Sequence, residues 1–201
     1  MAKKTSKKPA KVAKNVRLRQ FEKLSYGDPR GFLAALRKFE SAVAASPTPE
    51  RIKTLRTQGL RPEREMRDAA IFCVGLSERI GFDVRFAPFE DQDFDFVATW
   101  FDGDRVTKPV QLKEVAPHRL NAGATIQAVV DGLTRYADSA DVIVAIKVNR
   151  LGRFDPAELK LPANLGIGQL WIFASLSADQ SEFGLWGHFL SGTDAPLGTR
   201  F

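Results

Sequence analysis

Cysteine and histidine are scarce: the 201 residues include one cysteine, Cys73, and two histidines, His118 and His188. One cysteine excludes an intramolecular disulfide framework, and the three side chains lack the close spacing of a zinc finger or a Cys/His zinc centre. No stretch approaches the roughly 18 apolar residues of a membrane-spanning helix. The lysines at the amino terminus are not followed by an apolar segment of signal-peptide length. A cytoplasmic setting with no membrane partner is the resulting expectation. No GxGxxG or Walker pattern occurs, since Gly166-Ile167-Gly168 and Gly184-Leu185-Trp186-Gly187 lack its spacing and context and read as turns. There is no internal repeat.

The chain is rich in apolar and aromatic residues, 44% hydrophobic with 15 Phe and 3 Trp, which suits one folded α/β domain, alone or with an appendage. Its net charge of +6 is unevenly placed. Met1 to Lys23 holds nine Lys and Arg, with Lys3, Lys4, Lys7 and Lys8 among them, against the single Glu22, a balance of +8. The remainder has 21 basic and 23 acidic residues, or −2. Residues 1–23 read as a basic disordered arm that either adds counterion-release affinity for a phosphate backbone or only solubilises the chain.

Apolar spacings of three and four predict a helix over 29–45, carried by Phe32, Leu33, Leu36, Phe39 and Val43 and ended by the proline-rich 46–49. A second short helix is expected over 50–60, so that 24–60 forms a helical lead-in to a domain over 61–201. Met66, Ala69, Ala70, Cys73, Val74, Leu76 and Ile80 share one stripe of a helix over 62–80, and Gly81 stands where a helix ends. Strand-like alternation follows around Phe82, Val84 and Phe86 and again from Phe94 to Trp100. Asp102-Gly103-Asp104 marks a turn, and the returning strand is expected from Val110 to Val115, because Pro109 cannot donate to a ladder. A helix over 124–138, a buried strand over 142–148, a strand over 170–174 and a last strand over 183–190 complete a mixed sheet with helical cover. Residues 191–201 read as loosely structured. The aromatic residues Trp171, Phe173, Phe183, Trp186 and Phe189 are assigned to core packing, and Cys73 to a buried apolar position rather than a nucleophile.

One polar set stands out. If 102–104 form a three-residue loop, Asp95 faces Gln111 and Asp93 faces Lys113 across the hairpin. Strand alternation then places these four on one sheet face, with Leu112, Phe94 and Phe96 on the other. A two-residue turn breaks the arrangement. The plain alternative is that an Asp and a Gln-x-Lys pair form only the solvated side of a sheet.

The order helix, three strands, helix, strand over 62–148 resembles the PD-(D/E)XK nuclease superfamily, with a restriction-endonuclease-like sheet. In that family an Asp on the second strand and the Glu or Gln of an (E/Q)xK triplet on the third hold a divalent metal, while the Lys assists the attacking water. Asp95, Gln111 and Lys113 occupy those places, and the Gln variant is similar to that of Mrr-type restriction endonucleases. Glu65, on the inward stripe, matches the helix Glu of many members, with Glu63 and Asp68 as neighbouring alternatives. The resemblance implies a metal-dependent endonuclease acting on DNA, with Mg²⁺ or Mn²⁺ bound by Asp95, Gln111 and Asp93. Oxygen donors of this kind suit Mg²⁺ when a substrate phosphate completes the shell. Lys113 then either handles the proton of the attacking water or stabilises charge on the phosphoryl oxygens. Arg61, Arg64 and Arg67, with the arm lysines, are the expected phosphate contacts. The rival expectation is a nuclease fold without catalysis that serves as a binding or interaction module, for which the neutral Gln111 and the near-neutral body argue. A homodimer and a protein partner are both left open.

Overall fold

Asp28 opens the first long helix. Its carboxylate accepts from the backbone N–H groups of Arg30 at 3.1 Å and Gly31 at 2.9 Å, and Pro29 supplies a preset φ at the first helical position. Helix α1 (Pro29–Ala44) lies against α2 (Arg61–Ile80), with Phe32 and Leu33 packed on the main core. Helix α2 is stopped by Gly81, whose φ of 75° is open to glycine at no steric cost. The computed structural model describes residues 17–45, 47, 61–89, 91, 94–136, 139–150, 152–192 and 198–201. The helix expected over 50–60 lies outside the described residues.

Beyond α2 the chain builds one mixed sheet of seven strands in sequential order. Strands β1 (Arg85–Pro88), β2 (Phe96–Asp102) and β3 (Asp104–Val115) run antiparallel. The crossover helix α3 (Ile126–Asp131) then returns the chain so that β4 (Ser139–Val148) is parallel to β3, and β5 (Ile167–Ser175) is parallel to β4. Strands β6 (Phe183–Trp186) and β7 (Gly198–Arg200) close the far edge antiparallel. The chain is thus an α/β protein with a layered core. On one face α2 covers Phe96, Ala98, Val110, Ile143, Ala145 and Phe173. On the other, α3 and its following turn cover Val115, Val144, Ile146, Leu170 and Ile172. Strand β4 is buried on both faces, which is why it reads as a continuous apolar run. Among the described residues no helix is long and apolar enough to cross a membrane.

The structure departs from the sequence expectations in several places, and Gly168 and Gly184, expected in turns, lie inside β5 and β6. Strand β3 starts at Asp104 and passes through Pro109; β4 begins to pair only at Val110, so upstream of it β3 has a neighbour on one edge alone, where a residue without an N–H is tolerated. The crossover helix is six residues long and tightens into a 3₁₀ turn over Gly132–Arg135 instead of continuing to 138. Strand β6 ends at Trp186, and Phe189 packs on the α3-side core as part of a loop. The arm does not reach Lys23, because residues 17–22 are helical and Phe21, 3% exposed, sits against Phe94 and Val97.

The carboxyl terminus, expected to be loose, departs as well. Gly198–Arg200 pairs with β6, and the Phe201 ring stacks on Phe183 at 5.9 Å. A Cβ on Gly75 of α2 would meet that ring at 2.5 Å, so the glycine makes the seat. Phe201→Ala should therefore lower the unfolding free energy by about 1–3 kcal/mol, less than for a fully buried ring. A lower urea midpoint at unchanged slope checks this, and an unmoved midpoint would show that the tail is not docked.

Candidate active site

The β2–β3 hairpin turns at Gly103, with φ of 70°, and pairs Asp102 with Asp104 and Phe96 with Val110. Asp95, one step before β2, is consequently opposite Gln111. This is the register that a turn centred on Gly103 predicts. One Asp95 oxygen, Oδ2, accepts from the backbone N–H of Leu112 at 2.6 Å and from Nε2 of Gln111. Asp95 Oδ1 carries no hydrogen bond among the described residues. Gln111, 7% exposed, also donates to the Leu112 carbonyl at 3.2 Å and accepts at Oε1 from the Tyr136 hydroxyl at 3.3 Å. Lys113 is two residues on along the same face of β3, its ammonium 5.4 Å from the centroid of the Tyr136 ring. Arg135 approaches the same ring at 5.1 Å.

Asp95 is not confined to that face. It stands in the bend before β2 and lines a cleft of about 260 Å³ with Glu65, Met66, Phe89 and Leu112. Glu65 comes from the first turns of α2, where Arg61 holds its carboxylate at 2.6 Å. Burial pushes the Asp95 carboxyl above the usual carboxylate range. The charge of Glu65 pushes in the same direction, while the Leu112 N–H, the Lys113 ammonium and the Gln111 amide pull it back. The charge of Glu65 thus reaches Asp95 across the cleft.

The structure therefore brings Gln111 and Lys113 to Asp95 from one side of the sheet and Glu65 to it across the cleft on the other. Asp93 and the lysines Lys3, Lys4, Lys7 and Lys8 lie outside the described residues. Phe94, expected on the face of Phe96, packs instead with Phe21, Phe89 and Val97, because the chain bends between the two phenylalanines. The arginines expected to contact phosphate are partly spent inside the protein. Arg61 holds Glu65, and Arg67 donates to Gln180 at 2.8 Å and lies 3.5 Å from Glu40. Arg64 has no ion pair among the described residues. Of the alternative helix acids, Glu63 is exposed, and Asp68 is buried against Lys147 at 2.5 Å. Among the described residues no group of three or more Asp, Glu, His and Cys side chains is placed to hold one metal ion. His118 is exposed in the loop after β3, and Cys73 is fully buried with its thiol pushed strongly up by burial.

Sequence reasoning missed two residues. Tyr136 falls inside the helix expected over 124–138, and only the end of that helix at Asp131 and the 3₁₀ turn after it bring the residue under β3. Lys147 was absorbed into an apolar strand, although one lysine within six apolar neighbours is itself a signal of a buried partner. No protein-family model, curated protein or solved structure matches the chain, so the site rests on its own geometry.

Two outcomes follow. Lys147→Met leaves the Asp68 carboxylate buried without its cation and should cost about 3–5 kcal/mol of stability, whereas the pair Asp68→Leu with Lys147→Met should recover most of the loss. Denaturant unfolding of the three proteins checks this.

Gln111→Glu sets a second carboxylate against Asp95. In the folded chain the pair resists ionisation, so its carboxyl titrates above the unfolded value. The deficit is small at acid pH and opens as pH rises through the carboxylate range, to about 1–3 kcal/mol at neutrality. A deficit independent of pH would mean that the two side chains do not meet.

Proposed function

We propose that the chain is a metal-dependent phosphodiesterase with a restriction-endonuclease-like core that hydrolyses DNA. The observation that carries this reading is the contact between Asp95 and Gln111 across the hairpin, with Lys113 next on the same face and Glu65 in the same cleft. The run α2, β1, β2, β3, α3, β4, antiparallel through β3 and parallel from β3 to β4, supports it as the element order of PD-(D/E)XK nucleases.

The donors suit a hard cation. Asp95 Oδ1 has no hydrogen bond, Glu65 adds a second carboxylate, and the Gln111 carbonyl oxygen becomes a third donor if its amide reverses. Mg²⁺ or Mn²⁺ held there supplies Lewis acidity toward a phosphate oxygen and toward water. The protein's own residues do the rest. Arg61 fixes Glu65 at the cleft, and the Leu112 N–H fixes Asp95 by its other oxygen. Lys113, kept in place by the Tyr136 ring, offers ammonium donors to an incoming water or to the charge that develops on the phosphoryl group. The basic amino-terminal arm supplies sequence-independent attraction to the backbone, which the nearly neutral body lacks.

A second reading draws on one observation. The neutral amide of Gln111 donates to Asp95 and so caps the carboxylate instead of sharing a cation with it. A nuclease fold without catalysis, kept as a DNA-binding or interaction module, is consistent with that contact. Incubation of supercoiled plasmid with the protein separates the two. Nicking is expected with Mg²⁺ or Mn²⁺ and not with EDTA, and Lys113→Ala or Asp95→Ala should reduce it by about 100-fold or more. Binding without nicking in any divalent ion selects the module.

A further inference from the structure

Tyr136 follows the 3₁₀ turn after α3 and is 8% exposed. Its hydroxyl donates to Oε1 of Gln111 at 3.3 Å and accepts from Arg135 at 3.2 Å. A carboxylate only accepts hydrogen bonds, so Gln111 turns its Nε2 to Asp95 and its oxygen to Tyr136. In that orientation the amide offers no oxygen to a cation at Asp95. A hydroxyl, unlike a backbone N–H or a carbonyl, can both donate and accept. If the Gln111 amide turns by half a revolution, its Nε2 meets the same hydroxyl as donor and its Oε1 faces Asp95. The amide is too buried to rely on water, and an unpaired end would be costly, so the partner at its back decides whether both orientations exist.

We propose that Tyr136 is a positioning residue that lets Gln111 alternate between two orientations, amide nitrogen toward Asp95 in the absence of a cation and amide oxygen toward Asp95 in its presence. The inference rests on the reading of Asp95 as a cation ligand. Reversal gives up the bond to Asp95 and the 3.2 Å bond to the Leu112 carbonyl. The attraction of an oxygen donor to a divalent ion offsets that loss, and without the ion the amide returns. Lys113 lies over the ring rather than at the hydroxyl, so Tyr136→Phe keeps its contact and removes only the hydroxyl.

The test is a double-mutant cycle read by Mn²⁺ calorimetry on the full chain, with Tyr136→Phe made in the Gln111 protein and in the Gln111→Glu protein. A glutamate has oxygen at both ends and needs no turning. Tyr136→Phe is therefore expected to weaken Mn²⁺ binding about tenfold beside Gln111, and by less than about twofold beside the glutamate. An equal loss in both backgrounds, or none beside Gln111, would overturn the inference while leaving the cation site intact. A wild-type protein that binds no Mn²⁺ would overturn the metal reading and this inference with it. The wild type gives an independent readout: the side-chain amide signals of Gln111 in a nitrogen-15 spectrum, identified by their loss in Gln111→Glu, should shift at saturating Mg²⁺. If Mg²⁺ binds and they stay in place, the amide does not turn.

Discussion

The register of β3 is the constraint on which the remainder hangs. This strand pairs with β2 on one edge and β4 on the other, antiparallel to the first and parallel to the second. Its Val110 and Leu112 serve the α2-side core while Val115 serves the α3-side core. Because side chains alternate with a period of two, a slip by one residue would put Gln111 and Lys113 into the α2-side core and turn Val110 and Leu112 to the opposite face. Gly103 secures the register at one end. At the other, Asp95 takes the Leu112 N–H and the Gln111 amide onto a single oxygen. The same contact that ends the hairpin ladder is the one from which the candidate site is built.

Burial explains how polar chemistry persists so near a dry core. Asp68 and Lys147 face each other between α2 and β4, and neighbouring Glu114 of β3 accepts from Asn149 at 2.7 Å. Each side chain finds a partner from another element, as buried polar groups must. These pairs lie on the α2 side of the sheet, whereas Gln111, Lys113 and Tyr136 lie on the other. Asp95 can communicate with both because the chain bends there. That is why one carboxylate touches Gln111 and still shares a cleft with Glu65.

How much of this was legible depends on the range of the interaction concerned. Helix α2 was readable almost to the residue, since its stripe, Pro62 and Gly81 are all local signals. The pairing of Asp95 with Gln111 was readable because Asp-Gly-Asp marks its own turn and the count outward is arithmetic. Strand β7 and the seat of Phe201 were not, because a three-residue strand acquires its meaning only from β6 and from a glycine on α2, far away in sequence. The course of β3 through Pro109 was hidden for a related reason. A proline is forbidden or harmless according to whether a neighbour lies on that edge, and no local pattern states where β4 begins. Tyr136 belongs to the same class, a residue whose role appears only when the crossover returns to the sheet.

The neutral Gln111 can then be understood from its surroundings. Asp95 and Glu65 already place two carboxylates at one small cleft, and burial together with the charge of Glu65 makes ionisation of Asp95 costly. A third carboxylate at position 111 would strengthen attraction to a divalent ion, yet it would add the same repulsion to the ion-free protein. An amide relieves that repulsion by donating to Asp95, and it keeps an oxygen that can be presented only by turning. On the proposed metal-dependent reading, affinity for the ion is thereby exchanged for stability in its absence. The exchange holds only while some group behind the amide accepts it in either orientation, and in this fold that group is the hydroxyl of Tyr136.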